Sequence, residues 1–86
     1  PPTAPGLPSG GQPLPAGTRR FMEGRLGADL SRVRVHTGSA AAGAAAGMGA
    51  RAFTYGRDIY FGSGQFQPES ASGRELIAHE LVHTIQ

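Results

Sequence analysis

Residues 72–86 read SGRELIAHELVHTIQ, and this stretch decides the fold of the chain. Ser72 followed by Glu75 is typical of the capping box that begins a helix. Core-facing positions then recur at helical spacing on the side opposite His79 and His83, namely Ile77, Ala78, Leu81, Thr84 and Ile85. The sequence therefore predicts an amphipathic helix with one apolar face and one face that carries two histidines.

The two histidines of this helix have the spacing of a metal-binding pair. Residues four apart project from the same face of a helix, so His79 and His83 can reach one ion. Glu80 lies about 100° around the helix from His79, beside such an ion rather than on it. This H-E-x-x-H arrangement is typical of zinc peptidases, so we predict Zn2+ ligands at both histidines and a general base at Glu80. The alternative is a half-buried helix whose histidines are ordinary polar side chains.

A catalytic zinc usually has three protein ligands, and the sequence leaves the third open. The best candidate within the 86 residues is His36, which projects from a predicted strand beside two arginines and could equally have a structural or surface role. Asp29, Asp58 and Glu69 are poorer candidates because isolated loop acids are usually caps or solvated charges, and Glu75 is assigned to the helix cap. The third ligand could also lie beyond Gln86, in which case the sequence is a domain truncated at its C-terminus. Gln86 itself, three residues after His83, is a candidate for contact with substrate.

The amino-acid composition argues against several classes of function. A chain of 86 residues is one small domain with one modest core. It contains no cysteine, so disulfides and thiolate metal ligands are excluded. The net charge of +2 comes from scattered arginines without a basic run, which does not favour nucleic-acid binding. The sequence contains neither an apolar stretch long enough to span a bilayer nor a recognisable secretion signal.

Residues 1–17 contain six of the seven prolines and several glycines. This composition predicts an extended linker or arm, with the domain proper at 18–86 and its first packed residue near Leu14. The arm is interpreted as a flexible tether, or alternatively as a lid across the metal face. Because the chain begins with Pro1 and Pro2 rather than methionine, we expect it to be part of a longer polypeptide.

The middle of the chain predicts short elements in the order helix, strand, helix and hairpin. The first helix carries Phe21, Met22 and Leu26 and is closed by Gly27. The later elements are a strand at 32–36, a helix at 39–50, and hairpin strands at 52–55 and 59–61. We therefore predict an α+β, small zincin-like domain, in which short helices pack on a small sheet or hairpin and the H-E-x-x-H helix comes last.

Four motifs in order carry a resemblance to a known family: RVHT at 34–37, ARAFT at 50–54, DIYFG at 58–62 and LIAHELVHTIQ at 76–86. They resemble the core domain of bacterial extracellular contractile injection systems, from about Gly11 to Gln86. The resemblance implies a zinc metallopeptidase domain within a longer polypeptide, associated with phage-tail-like injection particles and their effector or toxin proteins. The chain departs from the family at Gly43, Gly47 and Gly49, where bulkier residues are more usual.

Two function classes stay open. The first is a zinc-dependent endopeptidase whose polypeptide substrate, or the remainder of its own polypeptide, pairs along an edge strand of the hairpin. The second is a non-catalytic loading or docking module that engages components of the injection particle. An intact Glu80 favours the first, and the missing downstream ligand favours the second. We expect the protein in the cytoplasm of the producing bacterium, with export or delivery through the particle as a further route.

Overall fold

Three helices pack against a three-stranded mixed sheet in the computed structural model, which describes residues 7–8 and 10–86. The elements are α1 (Ala16–Leu26), β1 (Arg34–His36), α2 (Ser39–Gly47), β2 (Ala52–Tyr55), β3 (Asp58–Phe61) and α3 (Ala71–Ile85). The predicted order of helix, strand, helix, hairpin and helix is confirmed, and with it the α+β class.

The sheet has β3 at its centre, parallel to β1 and antiparallel to β2. Because side chains alternate along a strand, each face of the sheet carries its own rows of residues. One row contains Val35, Ile59 and Thr54, and it lies on the face that packs against α3, which we call the inner face. The next row contains His36, Tyr60 and Phe53 and lies on the opposite face, the outer face.

The hydrophobic core lies between the inner face of the sheet and the helices α1 and α3. Leu14 and Met22 come from the N-terminal part of the chain, Ile59 and Phe61 from β3, and Leu81 from α3, and all five are buried. Ile77 and Ala78 complete the buried side of α3, as the helical spacing predicted, whereas Ile85, which was predicted on the same side, is exposed near the end of the helix. This packing fixes the rotation of α3, which decides where its histidines and glutamate lie.

Helix α3 begins two residues earlier than the predicted cap. Ser70 is the N-cap, and its hydroxyl accepts the Gly73 backbone N–H at 2.9 Å. The predicted capping box of Ser72 and Glu75 is therefore wrong. Gln67 approaches this end of the helix closely, because a Cβ on Gly73 would overlap the Gln67 carbonyl oxygen.

Two other elements are shorter than predicted. Helix α2 ends at Gly47 rather than near residue 50, because Gly49 adopts a left-handed φ of 64°. Strand β1 begins at Arg34 rather than 32, because the Val33 N–H donates to the Leu30 carbonyl in a turn at 3.2 Å.

The N-terminal arm joins the folded domain earlier than residue 18. Gln12 and Val35 exchange two backbone hydrogen bonds, of 2.9 and 2.7 Å, along the side of β1 that faces away from β3. Leu14 is buried in the core, and Gly11 lies against the His36 ring on the outer face. The segment 10–14 is therefore packed on β1 because the peptide groups of Val35 need partners there. The predicted lid across the metal face depends in part on residues 1–6 and 9, which lie outside the described residues.

Candidate active site

His79 and His83 lie side by side on the exposed surface of α3. Their ring centroids are 5.0 Å apart and the ring planes are nearly perpendicular, at 85°. Both side chains are exposed, and neither ring has a hydrogen-bond partner among the described residues. The predicted pair is thus brought together by one turn of helix, with ring nitrogens free to accept a cation.

Glu80 has the opposite environment, because it is turned towards β2 and only 6% of its surface is exposed. The Thr54 hydroxyl donates to Glu80 Oε1 at 2.8 Å, and it also lies 3.2 Å from the Glu80 carbonyl oxygen. The other carboxylate oxygen, Oε2, has no partner among the described residues. One carboxylate oxygen of Glu80 is therefore anchored by Thr54.

A cleft of about 510 Å³ runs between β2 and the C-terminal half of α3. It is lined by Glu80, His83 and Gln86 from the helix side, and from the strand side by Ala52, Phe53, Thr54 and Gly56. The predicted base, one predicted ligand and the predicted substrate-contacting glutamine thus share one cavity. This volume lies in the range of ligand clefts and exceeds what a single small ion needs.

The outer edge of β2 borders this cleft and is open, since no strand pairs with it within residues 7–8 and 10–86. The Gly62 N–H donates to the Arg51 carbonyl at 2.8 Å, which makes this opposed pair a hydrogen-bonded one. Hydrogen-bonded and non-hydrogen-bonded pairs alternate along an antiparallel ladder. The backbone groups of Ala52 and Thr54 therefore point away from β3, towards the open edge.

His36 lies on the other face of the sheet from these residues. Its Nε2 is 2.7 Å from Asp58 Oδ1, and its ring stacks on Tyr60 with centroids 4.4 Å apart. Gly11 covers it from outside, where a Cβ would come within 2.7 Å of Nε2. Since strand alternation puts His36 opposite Val35, the sheet itself separates it from the histidines of α3. The structure does not bring the predicted third ligand to the pair.

The acidic candidates for the third ligand are engaged elsewhere or exposed. Asp29 accepts the Ser31 N–H at 2.9 Å, and this hydrogen bond lowers the pKa of the Asp29 carboxyl. Glu75 accepts from Arg25 at 3.1 Å, and Glu69 is exposed in the loop before α3. No group of three histidine, cysteine, aspartate or glutamate side chains could hold a metal within the part of the chain that the structure describes. Imidazole nitrogen is a donor type that zinc accepts, and the predicted pair would supply two such donors.

Thr54 is the site residue that sequence reasoning missed. The sequence signal was the alternation of side chains along the hairpin strand Ala52–Tyr55. Thr54 lies on the same face of this strand as Ala52, and the flanking Phe53 and Tyr55 lie on the other face. A polar side chain on the core-facing row of a strand needs a buried partner. Its partner is the carboxylate of Glu80, which sequence spacing alone could not supply.

None of the helices formed by the described residues is both long and apolar enough to cross a bilayer.

The fold and the site together define a small α+β domain in which an H-E-x-x-H helix packs on the inner face of a mixed sheet. The sequence matches the eCIS core domain family over residues 13–86, and the chain belongs to that family. The resemblance to the core domain of extracellular contractile injection systems is thereby confirmed, and the chain is associated with such systems. The chain has no significant match among curated proteins or among solved structures.

Proposed function

We propose that this eCIS core domain is a zinc-dependent endopeptidase module that cleaves an extended polypeptide. The observation that carries the proposal is the arrangement of Glu80, whose Oε1 accepts the Thr54 hydroxyl and which lines the same cleft as His83.

Each residue of the site has a defined part in this proposal. His79 and His83 hold the ion through one ring nitrogen each. When bound, zinc supplies Lewis acidity towards a carbonyl oxygen and makes a water more acidic. Glu80 accepts a proton of the attacking water at Oε2 and returns it to the amine nitrogen, as the C–O bond forms and the C–N bond breaks. The peptide is oriented by the outward backbone groups of Ala52 and Thr54.

The substrate follows from the open edge of β2. An unpaired strand edge recognises main-chain groups, so it favours an extended polypeptide of varied sequence over a folded surface. Within a contractile injection system, such a polypeptide would be the remainder of the same chain or an effector or toxin protein.

The test is zinc content and peptide cleavage in the wild type and in Glu80→Gln. The glutamine variant keeps the histidines and an acceptor for Thr54 but cannot take up a proton. We expect equal zinc stoichiometry by elemental analysis and a loss of about two to four orders of magnitude in cleavage rate. Equal turnover of an unstructured peptide by the two proteins would show that Glu80 is not the base.

A docking module is the second candidate, because the described residues supply two metal ligands where a catalytic zinc usually has three. In that case the zinc-loaded wild type would cleave no peptide, while wild type and Glu80→Gln would bind purified injection particles equally. Cleavage that depends on both zinc and Glu80 would exclude this alternative.

A further inference from the structure

We propose that Thr54 is a positioning residue, which fixes the position of the base Glu80 relative to the bound peptide. The inference rests on the proposed peptidase function and concerns how that site is organised. Thr54 is the one residue of β2 whose hydroxyl contacts Glu80, at 2.8 Å. Its backbone N–H and C=O also point to the open edge of the strand. A single residue can therefore contact both Glu80 and a bound peptide.

The hydroxyl contact fixes the orientation of the carboxylate. A glutamate side chain has three rotatable bonds, and an accessible one samples several rotamers. The Thr54 hydrogen bond holds Oε1 in place and so restricts these conformations, while Oε2 has no partner among the described residues. Oε1 remains an acceptor when Oε2 carries a proton, so the contact persists through proton uptake and release.

The backbone contact fixes the other half of the geometry. A peptide paired along β2 would bond to the N–H and C=O of Thr54, which places one of its own peptide groups beside this residue. The distance between that peptide group and Glu80 then depends only on the geometry of Thr54 and on its hydrogen bond to Glu80. Such short linkage matters because an error of about 1 Å in a reacting geometry can cost roughly 100-fold in rate.

Thr54→Val tests the inference because valine keeps the shape of threonine and the strand backbone while removing the hydroxyl. We expect kcat to fall by about 10- to 100-fold with KM close to that of the wild type, since the backbone groups that bind peptide remain. Thr54→Ser retains the hydroxyl and should restore kcat to within about threefold. Thr37→Val is the matched control, because Thr37 is exposed in the loop after β1 and should leave kcat unchanged.

A second measurement uses metal-free protein and needs no activity. The denaturation midpoints of Thr54→Val, Glu80→Met and the double variant form a double-mutant cycle. If the hydroxyl and the carboxylate interact, the shift in the double variant will be smaller than the sum of the two single shifts. Additive shifts would overturn the proposed contact.

The outcomes separate this inference from the proposed function. An active wild type with an equally active Thr54→Val overturns the role of Thr54 and leaves the peptidase proposal standing. A rise in KM alone, or a failure of Thr54→Ser to restore kcat, also overturns it, because the defect would then lie in binding or packing. A zinc-loaded wild type without cleavage overturns the peptidase proposal itself, and the positioning role falls with it.

Discussion

The histidines on the two sides of the sheet have opposite environments. On the outer face, His36 is buried, hydrogen-bonded to Asp58 at 2.7 Å, stacked on Tyr60 and covered by Gly11. On the helix that packs against the inner face, His79 and His83 are exposed and adjacent, with no partner among the described residues. The first environment fixes an imidazole as part of the packing, and the second leaves two imidazoles free to bind. The comparison shows that histidines from two motifs of the same family have opposite surroundings, which the motifs themselves do not reveal.

The largest expected effect is on the exposed pair. Replacing both His79 and His83 by alanine should weaken zinc binding by at least about 100-fold. Zinc sites with four ligands bind with roughly 10–16 kcal/mol, or about 3 kcal/mol for each ligand. The thermal unfolding temperature of the metal-free protein should hardly change, because both side chains are exposed. Competition with a chelating dye measures the affinity, and full zinc content in the double variant would exclude the pair as ligands.

The reverse pattern is expected for His36→Ala. The substitution removes a stacked ring and leaves the Asp58 carboxylate without its partner, which should lower the free energy of unfolding by about 2–3 kcal/mol. Zinc affinity should match that of the wild type, since the sheet separates His36 from α3. Urea denaturation and the same dye competition test both halves. A variant that folded normally but lost zinc would restore His36 as a ligand.

Gly11→Ala should disturb the same outer face by a smaller amount. The new Cβ would come within 2.7 Å of His36 Nε2, and φ at Gly11 is 79°, which alanine adopts only with strain. Together these should cost about 1–3 kcal/mol of unfolding free energy.

Gly10→Ala is the matched control, because Gly10 has a similar φ of 88° but no atom of the described residues within 4 Å of a Cβ. The difference between the two variants isolates the contact with the His36 ring from backbone strain. Equal effects of both substitutions would mean that the arm does not press on the ring.

The smallest effect is a dependence on alkaline pH from Tyr60. Burial, aided by the negative charge of Asp58, raises the pKa of the Tyr60 hydroxyl above its ordinary value of 10.0. The unfolded chain therefore loses this proton at lower pH than the folded chain, and stability falls as pH rises above 10.0. Tyr60→Phe should reduce this slope in urea denaturation measured from about pH 9 to 11. An unchanged slope in Tyr60→Phe would contradict the assignment.

Local features of the fold could be predicted from the sequence because they depend on neighbours along the chain. The spacing of His79 and His83 requires only a helix, and Gly27 ends α1 with the left-handed φ of 65° that its position predicted. The hairpin strands on either side of Gly56 were likewise predicted closely, and Gly56 adopts a φ of 63° in the turn.

Contacts between distant segments could not be predicted in the same way. The pairing of His36 with Asp58 spans 22 residues and depends on the parallel register of β1 and β3. The predicted loop position of Asp58 concealed it, because Asp58 is the first residue of β3. The hydrogen bond between Thr54 and Glu80 spans 26 residues and requires the rotation of α3 that core packing sets. Each of these contacts depends on how two elements pack against each other. The periodicity of a single element carries no information about that packing.

The hydrogen bonds between Gln12 and Val35 limit how many strands this domain can accept. They occupy one border of the sheet, while the border formed by β2 has no pairing strand within the described residues. A sheet with two free borders can add chains on both sides and propagate into a stack, as in amyloid growth. With one border closed by its own chain, the domain has a single free border among the described residues, so two copies that paired through β2 would form a closed dimer and not a stack.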